Sequence, residues 1–455
     1  MSTGTDISFF FHPRAVALVG ASPRPGKPSQ VILESLRRIG YPGAIYLVNP
    51  HHAAIDGITC YPALSEIPED EIDVAIFAVP AATVLEIMER TEDIKGAIIV
   101  CAGFKEIGPA GVTREEQLKA LATRKGIRII GPNCLGIYDT ISQLDTFFTP
   151  EARVQRPPRG GLSILTQSGS FAQTIMDELA AAGIGVARVV SYGNRVDVGE
   201  SDCLSFLMDD EATKVIIIYM ESVDDGRRFV EIAARCTQKK PVVVVKVGKR
   251  EAGMHAARSH TGAISGRYEI YRAAFKKAGI VEVDGYEGMK DAAKVLSTYE
   301  RVAGNRVLII TDGGGLGVSL ADACEALGLK VPELSEGTQR SLRSKLPAFF
   351  VTSNPLDLTG SVTDEEYVIA LEAGLQDEYD LVIVTVLWGP PKLTELLADK
   401  LNVVRTGQAK PVLICSPGGE FTRRMAARFE AHGMPVFTTP ESAARAAAVL
   451  AGRTR

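Results

Sequence analysis

From Ala15 onward, short apolar runs rich in Val and Ile alternate with longer stretches of helical periodicity: AVALVG, AIYLVNP, DVAIFAVP, GAIIVCAG and RIIGPN. A strand buried on both faces reads as such a run, so a parallel sheet of strand–helix units is expected. Between 150 and 161 the pattern breaks into Arg- and Pro-rich EARVQRPPRGG, a linker signal. The rhythm restarts with GLSILTQSG, ARVVSYGN, KVIIIYMES, PVVVVKVG and GIVEV, and this second unit ends near residue 295. A third set follows Gly304, with RVLIITDGGG, DLVIVTVLW, PVLICSPGG and MPVFTTP separated by Ala- and Leu-rich helical stretches. The simplest architecture is α/β, three consecutive doubly wound domains over 1–145, 155–295 and 300–455. The units share rhythm but no repeated sequence, which excludes a solenoid.

Composition narrows the class. A chain of 455 residues, 46% hydrophobic and 23% charged, suits a globular enzyme of several domains. A net charge of -5 offers no basic field, so neither nucleic acid nor an anionic membrane is expected as a partner. The seven cysteines are scattered without a CxxC pair, which points away from disulfides and zinc and toward a reducing cytoplasm. The N-terminus lacks the basic and apolar regions of a signal peptide, and no apolar run is long enough to span a bilayer.

In a doubly wound fold, ligands bind beyond the carboxyl ends of the strands. The first strand runs into GASPRPGK (Gly20, Ala21, Ser22, to Lys27), a small-residue turn that would let backbone approach a phosphate at the next helix start. A structural turn explains it equally well. Other strand ends carry Asn49-Pro50, Val79-Pro80, Gly103 and Asn133, which together would cradle an extended, nucleotide-bearing ligand. In the second unit GLSIL ends at Thr166, and Ser168, Gly169 and Ser170 open a helix. Free amides and two hydroxyls there make a compact anion site, or simply a capped helix. In the third, Gly313 to Gly317 precede another helix and would give a second such end, with Gly314 and Gly315 foremost.

His260 stands apart from the other five histidines because Ser259, Thr261 and Gly262 would leave its imidazole open to a phosphoryl group. A phosphorylated histidine needs a partner that fixes its tautomer. Glu221, closing the strand KVIIIYM, lies at the same edge if both follow strands of one domain, although position alone equally suits a solvated charge. No GxxxxGK[ST], G-x-S-x-G, HExxH or EF-hand pattern occurs, and no metal site is expected in this chain.

Taken together, FHPRAVALVGAS, ILTQSGSF, SYGNRVDVGESDCLSFL, IIIYMESVDDGRRF, KPVVVVKVG, ARSHTGAISG, TDGGGLGV, NPLDLTG and PVFTTPESAARA resemble the nucleoside-diphosphate-forming acyl-CoA synthetases, the superfamily that contains succinyl-CoA synthetase. The likeness is to the alpha part and covers nearly the whole chain. It implies a Rossmann-like CoA-binding domain, a flavodoxin-like domain carrying phosphohistidine, and a third, flavodoxin-like domain. It also implies that Gly20, Ala21, Ser22, Lys27, Asn49, Pro50, Val79, Pro80, Gly103 and Asn133 contact CoA. His260 would carry the phosphoryl group, Glu221 would orient it, and Ser168, Gly169, Ser170, Thr261, Gly262, Gly314 and Gly315 would bind phosphate. Acyl-CoA, phosphate and ADP or GDP would interconvert with carboxylic acid, CoA and nucleoside triphosphate. Nothing here resembles the family's ATP-grasp domain, so ATP or ADP and Mg would sit on a separate beta subunit, making a hetero-oligomer. Departures are small: Ser265 where Ala is usual, and Pro28-Ser29 after Lys27.

Two other classes compete. A CoA- or acyl-CoA-binding sensor of the same fold would not need His260, Glu221 and two glycine-rich helix starts together. A nicotinamide-dependent oxidoreductase would show GxGxxG and an acidic residue after the second strand, where this chain has Asn49.

Overall fold

The computed structural model describes residues 6–68, 72–91, 94–255 and 267–453. The chain divides into two compact units, Met1–Ile280 and Val281–Arg455. Three α/β domains with parallel-rich sheets make up the architecture, as the alternation of runs predicts.

The first sheet contains β1 (Ala15–Val19), β2 (Ala44–Val48), β3 (Ala54–Ile55), β4 (Ile58–Tyr61), β5 (Ile72–Phe77), β6 (Ile94–Ile99) and β7 (Arg128–Ile130), in the order β3-β4-β2-β1-β5-β6-β7. All its pairings are parallel except β3 with β4. Every residue of β1 and β5 is buried, which is why β1 reads as an unbroken apolar run and β5 as one interrupted only by Asp73. Parallel pairing has a consequence for function, because it delivers the ends of β1, β2, β5, β6 and β7 to one edge.

The next strands are β8 (Gly136–Asp139), β9 (Leu144–Asp145), β10 (Arg159–Thr166), β11 (Val186–Ser191), β12 (Val215–Met220) and β13 (Val242–Lys246). Within this unit they lie in the order β13-β12-β10-β11-β8-β9. Strands β13, β12, β10 and β11 are parallel, whereas β8 runs antiparallel to β11 and β9 antiparallel to β8. Residues 136–145, which the sequence reading places with the first domain, thus hydrogen-bond into the second sheet. A buried ion pair holds them there: the Arg188 guanidinium on β11 bonds to Asp139 on β8 and, at 3.1 Å, to Asp210. The Phe11 and Phe206 rings stack at 4.1 Å, and the Arg188 guanidinium lies over both.

The second unit starts with β14 (Val281–Glu282) and the helix Gly285–Thr298, whose Asp291 accepts bonds from Ser442 and Arg445 of the helix Pro440–Leu450. Its sheet joins β15 (Val307–Thr311), β16 (Leu356–Asp357), β17 (Leu381–Thr385), β18 (Val412–Cys415) and β19 (Val436–Phe437) in the order β16-β15-β17-β18-β19, all parallel. Among the described residues, no helix is long and apolar enough to cross a membrane.

Candidate active site

At the carboxyl edge of the first sheet the strand-end residues meet. The amides of Gly20 and Ala21 donate to Val48 O at 2.9 and 3.2 Å, and the Asn49 side-chain amide donates to Ala21 O at 2.7 Å. Gly20 has φ +86, and a Cβ there would lie 2.4 Å from Val79 Cγ1. Only glycine lets these two strand ends approach so closely. Lys27 is exposed at the start of the helix Pro28–Ile39, Ser22 Oγ accepts from Arg24 N, and Pro50 and Pro80 are exposed nearby. The Gly103 amide donates to Glu106 at 2.5 Å, and the Asn133 amide donates to Cys101 O at 3.0 Å. Burial works against the Glu106 charge. Bonds from the Asn194 side chain and the amides of Gly103 and Phe104 outweigh it and hold the carboxyl below its ordinary range.

The second sheet's edge is built around β10. The Thr166 hydroxyl accepts from the Ser168 amide at 3.0 Å, which folds the chain into the helix Gly169–Ala181. Ser168 caps that helix, its Oγ accepting from Phe171 N at 3.3 Å and meeting Ser170 Oγ at 3.1 Å. The capping role left open by the sequence is therefore present, and Gly169 is half-buried while Ser170 is exposed.

Glu221 follows β12 and is buried, with 6% of its surface exposed. Its main chain is held by two side chains from the neighbouring strands. Gln167 Oε1 accepts from the amides of Glu221 at 2.5 Å and Ser222 at 3.0 Å. The Lys246 ammonium donates to Glu221 O at 2.8 Å and packs 4.5 Å from the centre of the Tyr271 ring. A solvated strand-end charge would need neither. His260, Thr261 and Gly262 lie outside the described residues.

The second unit repeats the turn with different chemistry. Thr311 Oγ1 accepts from the Gly313 amide at 3.0 Å, matching Thr166, and the helix Gly314–Ala326 begins with exposed Gly314 and Gly315. Asp312 occupies the place of Gln167, and both its oxygens accept from Leu387 N at 3.0 Å. Leu387 therefore stands where the other unit has Glu221, so this turn carries no equivalent carboxylate beyond its second strand. It carries carboxyls elsewhere: Asp357 Oδ2 would lie 2.7 Å from a Cβ at Gly314. Burial pushes the Asp312 carboxyl up to about 7.

Gln167, Lys246, Asp312 and the loop after β11 were not singled out from the sequence. The available signals were a long amide inside an otherwise small-residue turn and a charged residue closing the buried run VVVVK. Among the described residues no group of three or more His, Cys, Asp or Glu side chains is placed to hold a metal ion.

Three family models match in order: a CoA binding domain over 14–140, a succinyl-CoA ligase like flavodoxin domain over 159–296, and a ligase-CoA domain over 307–455. The class is thus that of α/β chains combining a CoA-binding domain with ligase-type flavodoxin-like domains. The chain is 38% identical, over 97% of its length, to the ADP-forming acetate–CoA ligase I of Archaeoglobus fulgidus, and spans 62% of that relative. It is 35% identical, over 98% of its length, to the alpha subunit of the ADP-forming acetate–CoA ligase II of Pyrococcus furiosus, and spans 97% of that subunit. A solved dinucleotide-forming acetyl-coenzyme A synthetase 1 from Candidatus Korarchaeum cryptofilum, in complex with phosphate and ADP, matches with a TM-score of 0.91 and 31% identity. That match covers 99% of this chain and 97% of the other. The chain belongs to the ADP-forming acetate–CoA ligase family.

Proposed function

We propose that this chain is the alpha subunit of an NDP-forming acyl-CoA synthetase, an acid–thiol ligase that works with a separate ATP-grasp beta subunit. The observation that carries the reading is the braced Glu221 beside the Ser168-capped helix start, at an edge shared by β10, β12 and β13. A sensor would have no use for a buried glutamate whose main chain is fixed by the side chains of Gln167 and Lys246. The relatives that match end to end are themselves named alpha subunits.

In this reading the first sheet's edge, from Gly20 to Asn133, holds CoA and its thioester. Its close backbone approach at Gly20 suits an extended ligand lying across strand ends. Phosphate at the helix start of Gly169 is favoured by free amides and the helix dipole. Attack of a phosphate oxygen on the thioester carbonyl gives acyl phosphate and releases CoA thiol. A ring nitrogen of His260 then takes the phosphoryl group and frees the carboxylate. Glu221 accepts the N–H of the other ring nitrogen, which selects the tautomer and offsets the charge that develops on the imidazole. Transfer to ADP takes place on the partner, which supplies Mg and the nucleotide site, and every step is reversible. Gly314 and Gly315 open a helix in the second unit whose N-terminal amides suit an anion.

Reconstitution with an ATP-grasp partner tests the proposal. With ATP, Mg, CoA and a panel of carboxylic acids, one or more acids should yield a CoA thioester together with ADP and phosphate. CoA binding without turnover of any acid would support the sensor, and release of AMP would exclude the phosphoryl route.

A further inference from the structure

The loop after β11 runs Tyr192, Gly193, Asn194, Arg195, and two consecutive side chains leave it for different sheet edges. Gly193 makes the junction tight: its φ is +54, and a Cβ would lie 2.3 Å from Asn133 O and 2.4 Å from Pro132 O. Beyond it the loop runs along the end of the first sheet, with amides of Asn194, Val196 and Val198 donating to Pro132, Gly131 and Ile129 at 2.9 to 3.0 Å.

Asn194, 3% exposed, reaches into the first domain. Its amide nitrogen donates to Glu106 at 2.6 Å and Glu115 at 2.9 Å, and its oxygen accepts from the Asn133 side chain at 3.3 Å. Glu106 in turn holds the Gly103 amide. Arg195, 8% exposed, reaches the other way. It donates to Ser222 O at 2.7 Å and bonds to Glu200 at 3.0 Å and Asp224 at 2.5 Å. Burial opposes its charge, but Glu200 and Asp224 outweigh that and keep the guanidinium protonated. Ser222 is the residue after Glu221, and both share the Gln167 acceptor. Two sets of hydrogen bonds, joined through the Asn194–Arg195 peptide bond, therefore link Gly103 and Asn133 to the main chain at Glu221.

We propose that Asn194 and Arg195 form a positioning element that sets the spacing between the thioester-binding edge of the first domain and the phosphoryl-carrying edge of the second. The proposal rests on the function argued above. In the thioester step a bond forms between a phosphate oxygen and the acyl carbon, the C–S bond breaks with its electron pair leaving on sulfur, and the phosphate proton ends on the thiol. The two reactants are held by different domains and must approach to about 3–3.5 Å, where a displacement of about 1 Å lowers the rate roughly 100-fold. Phosphoryl exchange between His260 and nucleotide uses only the second edge, so it does not depend on this spacing.

The test compares the parent with Asn194→Ala, and with the smaller lesion Asn194→Ser should the alanine variant not fold. Acetyl-CoA and a panel of other thioesters are supplied with phosphate, acyl phosphate is trapped with hydroxylamine, and phosphorylation of the chain by ATP and the ATP-grasp partner is followed separately. The expected result is a kcat for thioester phosphorolysis lowered about 10- to 100-fold, with KM for thioester and phosphate within about 3-fold of the parent and phosphorylation from ATP retained. A variant that matches the parent, a loss carried by KM, or an equal loss in both half-reactions overturns this proposal while leaving the functional reading intact. A parent inert toward every thioester overturns both.

Discussion

The Glu221 amide donates to the side-chain oxygen of Gln167 across 2.5 Å, joining residues that are 54 positions apart in the chain. The bond ties the turn that opens the helix Gly169–Ala181 to the main chain of the glutamate that follows the neighbouring strand β12. Anything that moves one moves the other. In Gln167→Leu the amides of Glu221 and Ser222 lose their acceptor inside a buried site, which is expected to cost about 1–3 kcal/mol per unsatisfied group. Urea denaturation should show that loss, and phosphorylation of the chain should slow while CoA binding, measured by calorimetry, stays at the parent value.

Glu221→Gln keeps the shape and removes the charge. If the carboxylate orients the imidazole, phosphorylation by ATP and the partner falls about 100-fold or more with CoA affinity unchanged. Rapid-quench rates equal to the parent's would leave Glu221 with no part in the chemistry.

Asp312 makes the second unit pH-sensitive. Its carboxyl is raised by burial to about 7, whereas an unfolded aspartate titrates near ~3.9. A group raised on folding contributes stability that is fully present below about pH 4 and is lost as pH rises through about 7. The shift corresponds to at most ~4 kcal/mol. Asp312→Asn should therefore flatten the fall in urea midpoint between pH 5 and pH 8. A parallel decline in parent and variant would show that the carboxyl is ionised throughout. Ionised Asp312 would also repel an anion at Gly314 and Gly315, so phosphate binding at that helix start is expected to strengthen below pH 7.

Arg188 is 1% exposed between the carboxylates of Asp139 and Asp210. Arg188→Met leaves both acids in a low-dielectric setting without their cation, and breaking such a set costs about 3–5 kcal/mol. A denaturant midpoint within error of the parent would mean that water replaces the guanidinium. Because Asp139 lies on β8, this variant also tests what holds that strand in the second sheet.

The strands and their common edges were legible because a strand buried on both faces is dominated by apolar residues, as β1, β5, β15 and β17 are, with Asp73, Thr311 and Thr385 the polar exceptions. Gly20 could be placed from its position after the first strand, and Glu221 from its position after KVIIIYM. The pairing of 136–145 with the second sheet was not legible. Those residues form two short strands, of which β8 pairs antiparallel with β11 and carries an ion pair to Arg188, 49 positions away. Asn194 and Arg195 were hidden for the same reason. Nothing local distinguishes them, and their meaning lies in which neighbours the two sheets bring to them. Asp312 matches Gln167 in its turn, but its carboxyl is raised by burial, a property of the packed state alone.

The central claim is that a histidine in this chain carries the phosphoryl group. Incubated with γ-labelled ATP, Mg and the ATP-grasp partner, the parent should acquire label that is lost in acid and kept in base, and His260→Ala should acquire none. Label of the same acid-labile kind persisting in His260→Ala would contradict the account.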